Sequence, residues 1–162
     1  MVLSCFSRDL TSPSVEWLNT KCYQTDFTTF PGSSLAVTHT PEIYAPAFFN
    51  MLKMAIDLHQ AEGVIIIEHQ ECEAYLAVYP ELYTLSAPEQ FEIHRNSFNK
   101  LAALILQVYS TLTVQMSYFA DEFNIISVPY GTDNFSLETI PRKKSNDFFL
   151  LRSQFMYENG SM

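Results

Sequence analysis

Four consecutive β-branched residues, Val64-Ile65-Ile66-Ile67, constrain the fold of this chain more than any other feature of its sequence. Such a run is typical of a strand that is buried on both faces, as in parallel sheets covered by helices. Residues 41–61, just before it, carry apolar side chains at steps of three and four, which predicts an amphipathic helix. A helix that leads into a strand of this kind favours a parallel sheet with helices packed against it.

The rest of the sequence alternates between strand-like and helix-like segments. The other predicted strands are residues 2–6, 23–30, 111–118 and 124–128. The second of these could instead be an extended arm. Residues 14–20 are predicted to form a short helix, and residues 89–109 carry the longest helical pattern. This alternation predicts an α/β fold with a central, mostly parallel β-sheet flanked by helices and connected by right-handed crossovers.

The chain has 162 residues, of which 48% are hydrophobic, and this suits one folded domain with a real core. We place that domain at residues 1–140, because the composition changes at Pro141-Arg142-Lys143-Lys144. Residues 141–162 would then be a tail, or an arm that packs on a second subunit. The aromatic segment 23–30 and the apolar segment 148–151 are the predicted interface of a homodimer.

The net charge of −9 argues against two classes of partner. Nucleic-acid-binding proteins carry a basic patch, and anionic membrane surfaces attract basic proteins, so neither partner is expected. The longest apolar run is far shorter than the roughly 20 residues that span a bilayer. The first residues lack the basic start and the longer apolar segment of a secretory signal, which favours a cytoplasmic protein.

Three residues with metal-binding side chains fall where predicted strands end. Cys5 lies at the end of the first strand, and His69 and Cys72 follow the strand at 64–67. Functional groups collect at the carboxyl ends of parallel strands, so neighbouring strands would bring these side chains together. Two thiolates and one imidazole suit zinc, and three protein ligands leave a fourth position open, as in catalytic zinc sites. The residues alone leave a metal site and a pair of buried cysteines about equally open.

The segment from Gly63 to Tyr75, GVIIIEHQECEAY, resembles the central strand and the His-x-x-Cys-Gly-Ala turn of the β-carbonic anhydrases. The amino-terminal CFSRD is similar to the Cys-x-Asp-x-Arg motif of that family, and the resemblance covers about residues 1–128. It implies a β-carbonic-anhydrase-like fold in which Cys5, His69 and Cys72 bind Zn²⁺. It also implies a lyase activity, the hydration of carbon dioxide to bicarbonate.

Two residues that serve catalysis in that family are replaced in this chain. Ser7 stands where the family has Asp, and Asp9 stands where it has Arg, so both are candidate catalytic positions. In the family this Asp–Arg pair orients the zinc-bound water or exchanges with it on the metal. Two thiolates already neutralise a zinc ion, and further carboxylates from Glu68, Asp9 or Glu73 would make its water harder to deprotonate. We therefore expect a zinc protein whose hydration activity is weak or lost.

Two alternative functions stay open at this stage. The chain could be an active carbonate dehydratase, with carbon dioxide and bicarbonate as its partners. It could also be a metal-free α/β interaction or regulatory domain in which Cys5 and Cys72 are core residues. Among the other histidines, His94 has Glu92 and Arg95 close by, which predicts a solvated helix face.

Overall fold

The computed structural model describes residues 1–21, 23–121, 124–132 and 134–140, without the side chains of Arg8 and Asp9. Its strands are β1 (Val2–Cys5), β2 (Phe27–Phe30), β3 (Gly63–His69), β4 (Thr113–Phe119), β5 (Asn124–Pro129) and β6 (Ser136–Thr139). Its helices are α1 (Arg8–Thr20), α2 (Ser34–His39), α3 (Pro41–His59), α4 (Glu73–Val78) and α5 (Ala87–Val108), with a 3-10 turn at Pro80–Thr84. The prediction of an α/β fold is confirmed.

The strands form one six-stranded sheet in the order β2-β1-β3-β4-β5-β6. The first four strands in this order are parallel, whereas β5 runs antiparallel to β4 and β6 runs antiparallel to β5. The prediction of a mostly parallel sheet is therefore wrong, and the sheet is mixed. The physical reason is the short connection at residues 120–123, because a parallel crossover needs about a dozen residues or more.

The turn between β4 and β5 is closed by Asp121. Its carboxylate accepts hydrogen bonds from the backbone N–H of Asn124 at 2.8 Å and from the side-chain amide of Asn124 at 2.7 Å. Asp commonly bonds to the backbone in this way where a chain reverses direction. This turn consequently reverses the chain, and β5 pairs antiparallel with β4.

Successive residues of β3 contribute to two different cores, one on each face of the sheet. Ile66 packs into the core that also contains Phe48 of α3 and Leu101 of α5. Ile67 packs into the other core, which contains Trp17 of α1. This alternation follows from the pleat of a strand, which directs neighbouring side chains to opposite faces. The strand continues in the same way to its end, so Glu68 and His69 belong to opposite faces.

The segments that the sequence predicted as a dimer interface are described only in part. Tyr23 is 51% exposed and Phe27, on the edge strand β2, is 36% exposed. Residues 148–151 and the whole predicted tail at 141–162 lie outside the described residues, so the homodimer stays a prediction. In the part of the chain that the structure describes, no helix combines the length and apolar character needed to cross a bilayer.

Candidate metal centre

Cys5, His69 and Cys72 meet at the carboxyl edge of the parallel part of the sheet. Strands β1 and β3 are paired in parallel, with Ser4 opposite Ile67, so both strands end at the same edge. Cys72 follows two residues of turn and directly precedes α4. One ligand atom from each of the three side chains lies within 4.8 Å of the others. The structure therefore brings together the three residues that the sequence singled out.

The spacing of the sulfur atoms fits a tetrahedral zinc ion. Zn–S bonds of about 2.3 Å at the tetrahedral angle place two sulfurs about 3.8 Å apart. The Sγ atoms of Cys5 and Cys72 are 3.5 Å apart, which is close to this value. Both cysteines are free thiols and almost completely buried. An ion of this size could be accommodated between them after a small outward movement of the sulfurs.

His69 has one ring nitrogen that nothing in the described part of the chain satisfies. Its Nδ1 lies 3.0 Å from the carbonyl oxygen of Gln70, a group that can only accept, so Nδ1 carries the proton and donates. In a neutral imidazole this leaves a lone pair on Nε2. Nε2 is buried and has no hydrogen-bond partner among the described residues. A ring fixed by one nitrogen and free at the other has the arrangement of a metal-ligating histidine.

The two thiols have opposite electrostatic tendencies. A hydrogen bond from the Cys72 thiol lowers the pKa of Cys5, burial opposes this, and His69 and the Gly32 amide lower it further, so the net shift is strongly downward. The Gly32 N–H lies 3.3 Å from the Cys5 Sγ. The pKa of Cys72 is raised, because its proton is held by the Cys5 sulfur and because the thiol is buried. A second thiolate at this distance requires a cation to neutralise it, and a metal ion provides one.

The pKa of His69 is also shifted by its neighbours. Burial lowers this pKa, but the adjacent sulfur of Cys5 and its negative charge raise it, and the net shift is upward. Without a cation, Cys5 is therefore stabilised as a thiolate beside an imidazole that gains affinity for a proton. A zinc ion would take the place of that proton, since metal ions and protons compete for the same ligand atom.

A cleft of about 900 Å³ opens onto this group of ligands. Apolar side chains such as Phe6, Leu10 and Phe119 line part of it, and Phe6 is 75% exposed. The carboxylates of Glu71 and Glu73 line another part. The cleft leaves space next to the sulfurs for a fourth metal ligand, which is the feature that distinguishes catalytic from structural zinc sites.

Of the two candidate catalytic residues, Ser7 is described and lies in the lining of this cleft. It precedes α1, its carbonyl oxygen accepts a hydrogen bond from the Thr11 hydroxyl at 3.0 Å, and its own hydroxyl makes no bond that caps the helix. Asp9 belongs to the first turn of α1, and its side chain lies outside the described residues. The catalytic roles of Ser7 and Asp9 therefore stay predictions.

Sequence reasoning missed a buried polar cluster behind the ligands. Glu68 is fully buried, and one of its carboxylate oxygens accepts hydrogen bonds from the Ser34 N–H at 3.0 Å and the Ser34 hydroxyl at 2.5 Å. The other oxygen lies 3.1 Å from Nδ1 of His94. The Tyr75 hydroxyl is 3.2 Å from the Ser34 hydroxyl. We call these four residues the Glu68 cluster.

The prediction that His94 lies on a solvated helix face is wrong, because its side chain is completely buried. The signal that could have placed it is its spacing in α5, four residues before Phe98 and seven before Leu101, both of which are core residues. Glu68 was expected to add negative charge next to the zinc. Its side chain instead contacts Ser34 and His94 on the other face of β3, although its charge still contributes to raising the pKa of His69.

Comparisons with protein-family models, with curated proteins and with solved structures find no match to this chain. The resemblance to β-carbonic anhydrases therefore stays a prediction from the sequence. The function has to be inferred from the geometry of the site itself.

Proposed function

We propose that this chain is a zinc protein of β-carbonic-anhydrase type, with Cys5, His69 and Cys72 as ligands and with weak or lost hydration of carbon dioxide. The observation that carries the proposal is the convergence of three donor atoms within 4.8 Å, from the end of β1 and from the end of β3 and the turn that follows it. The unsatisfied Nε2 of His69 supports it, because a buried nitrogen without a partner is costly unless something binds it. The open cleft supports a fourth, exchangeable position.

The chain's own residues account for what the site can and cannot do. Zinc, when bound, supplies a Lewis acid that activates a water molecule at its fourth position. The two cysteines hold the ion and cancel its charge, and the Gln70 carbonyl orients the ring of His69. The described side chains that line the cleft include Glu71 and Glu73 and no lysine or arginine. Carboxylates close to the site would make a zinc-bound water harder to deprotonate, which supports weak or absent hydration activity.

Metal analysis of protein purified without added metal tests the zinc site. We expect about one zinc per chain in the wild type, and almost none in Cys72→Ser and His69→Gln. His39→Gln is the matched control, because His39 is an exposed histidine at the end of α2 and should leave the zinc content unchanged. A wild-type protein that stays metal-free even after dialysis against zinc would refute the site and favour the metal-free interaction domain.

Cobalt substitution tests the ligand set by a second measurement. Cobalt(II) bound to thiolates has a sulfur-to-metal charge-transfer absorption in the near ultraviolet, and four-coordinate cobalt has intense visible bands. We expect both signals in the wild type, and a weaker charge-transfer band when either Cys5→Ser or Cys72→Ser removes one sulfur. An equal charge-transfer band in both variants and the wild type would show that these cysteines are not the ligands.

Stopped-flow measurement of carbon dioxide hydration by the zinc-loaded protein tests the second half of the proposal. Fast carbonic anhydrases turn over at about 10⁶ s⁻¹. We expect a rate far below this, because the positions of the catalytic Asp–Arg pair hold Ser7 and Asp9. A rate near that of fast carbonic anhydrases would show that the chain is an active carbonate dehydratase and that the pair is dispensable here.

A further inference from the structure

The Glu68 cluster places four polar side chains in the core of the protein, which is unusual. Ser34, Glu68, Tyr75 and His94 are all 0% exposed. A buried carboxylate is unfavourable unless it is paired and hydrogen-bonded, and replacing such a group by apolar residues often does not reduce stability. The cluster therefore calls for a role beyond filling space.

The position of the cluster connects it to the candidate metal site. Ser34, the main partner of Glu68, begins α2 and lies two residues after Gly32. The N–H of Gly32 is the group that donates to the Cys5 sulfur. Glu68 itself precedes His69 on β3. One carboxylate is thus tied to the segment that donates a hydrogen bond to one ligand, and it is covalently adjacent to another ligand.

The segment that carries this hydrogen bond has a backbone conformation that needs support. Gly32 has φ +68° and Ser33 has φ +52°, and the second value lies in the left-handed region that residues other than glycine rarely adopt. The contacts that hold the segment include Ser33 N–H to the Phe30 carbonyl at 3.0 Å, the Ser33 hydroxyl to the Leu3 carbonyl at 3.4 Å, and Ser34 to Glu68. Strained backbone persists only where the surroundings fix it. The two bonds from Ser34 to a charged acceptor are the strongest of these contacts.

We propose that Glu68 is a positioning residue of the metal site, which acts through Ser34 to hold the Gly32 amide against the Cys5 sulfur. This inference rests on the proposed function, because it assigns Cys5 as a metal ligand. An N–H directed at a coordinated sulfur withdraws charge from it and fixes its direction, and partners of this kind commonly set metal affinity. His94 holds the other carboxylate oxygen and orients Glu68 towards Ser34.

Zinc affinity of purified protein, measured by competition with a chromophoric chelator, tests the proposal. We expect Glu68→Gln to raise the Kd for zinc by about 10- to 100-fold. Ser34→Ala should raise it less, since it removes the hydroxyl bond and keeps the backbone N–H. Because both changes act on one path, the double variant should be weaker by less than the product of the two single effects. Ser34→Ala also keeps the test available if Glu68→Gln fails to fold.

Two further measurements separate positioning from a purely structural role. Leu101→Ala is the control. It truncates a fully buried core side chain of α5 and leaves the hydrogen bonds of the Glu68 cluster in place. It should lower the melting temperature and leave the Kd for zinc unchanged. In the cobalt-substituted protein, Glu68→Gln and Ser34→Ala should shift the wavelength of the sulfur-to-cobalt band, whereas Leu101→Ala should not.

The outcomes distinguish this inference from the proposed function. A wild type without zinc or cobalt binding overturns both. A wild type that binds zinc, with the same Kd and the same cobalt spectrum in Glu68→Gln and Ser34→Ala, overturns the positioning role alone. A Kd that rises in Leu101→Ala as much as in Glu68→Gln also overturns it, because affinity would then follow overall stability.

Discussion

Glu68 and His69 are neighbours in the sequence, and the two faces of the sheet give them opposite surroundings. His69 borders a cleft of about 900 Å³ and keeps one buried nitrogen without a partner among the described residues. Glu68 is sealed in the core, and both its oxygens are hydrogen-bonded. One strand end thus carries a candidate ligand beside a cleft on one face and a buried carboxylate with both oxygens hydrogen-bonded on the other.

Removing the metal ion should have the largest effect on stability. It acts only on the face of the sheet that borders the cleft. At free zinc about 1,000 times the Kd, binding stabilises the folded state by about 4 kcal/mol. We expect chelation to lower the melting temperature of the wild type and to have no effect on Cys72→Ser, and thermal unfolding with and without zinc measures both. Identical melting curves for the wild type under the two conditions would contradict the difference between the two faces.

Disrupting the buried Glu68 cluster should have the next largest effect on stability. His94→Leu leaves one oxygen of a buried carboxylate without a partner, which should cost about 3 kcal/mol of unfolding free energy. His59→Leu is the matched control, since His59 forms an exposed pair with Asp26 at 2.6 Å and its loss should cost less than about 1 kcal/mol. Urea unfolding measures both values. Equal losses would mean that the Glu68 cluster behaves like surface charge.

Substituting Gly32, whose N–H donates to the Cys5 sulfur, should have an intermediate effect on stability. Gly32→Ala places a Cβ 3.1 Å from the Cβ atoms of Ala74 and Leu35 at a φ of +68°, so we expect a loss of about 2 kcal/mol. Gly131→Ala is matched for conformation, because φ is +80° there and nothing lies within 4 Å of the new Cβ. It should cost about 1 kcal/mol. Urea unfolding of both variants isolates the crowding next to the Cys5 sulfur, and equal costs would show that this crowding is unimportant.

The smallest effect should be a change in the titration of Cys5 in metal-free protein. Its pKa is lowered chiefly by the hydrogen bond from Cys72, so its thiolate should persist well below the pH at which an ordinary thiol protonates. In Cys72→Ala no donor replaces that thiol, and the midpoint should move up towards the ordinary value. The shift is measured from the thiolate absorbance as a function of pH, after subtraction of the absorbance of the Cys5→Ser protein. An unchanged midpoint would show that the sulfurs do not interact.

Local sequence patterns were sufficient for the parts of the fold that depend on burial. The β-branched run predicted β3, and the apolar periodicity predicted α3 and α5, because burying those side chains is what forms these elements. The convergence of Cys5, His69 and Cys72 could be predicted as well. It needed only the rule that parallel strands end at one edge, together with the placement of β1 beside β3.

The remaining features depend on tertiary contacts or on signals that were given too little weight. Helix α2 has six residues, too few to show a periodic pattern, and it was not predicted. The four-residue connection before Asn124 could have indicated the antiparallel β5 by its length alone. The hydrogen bonds of the Glu68 cluster join residues 26 to 41 positions apart, so only the assembled fold reveals that these side chains meet.

The pairing of β1 with β3 gives a bound metal ion a mechanical role as well. Its ligands come from two strands, and Cys5 and Cys72 are 67 positions apart in the chain. An ion held between them is a removable cross-link that closes a long loop, and it restricts the unfolded chain much as a disulfide would. His69 and Cys72 can hold an ion from a single turn, whereas Cys5 joins only when the two strands lie side by side. Full coordination therefore reports that the centre of the sheet has assembled.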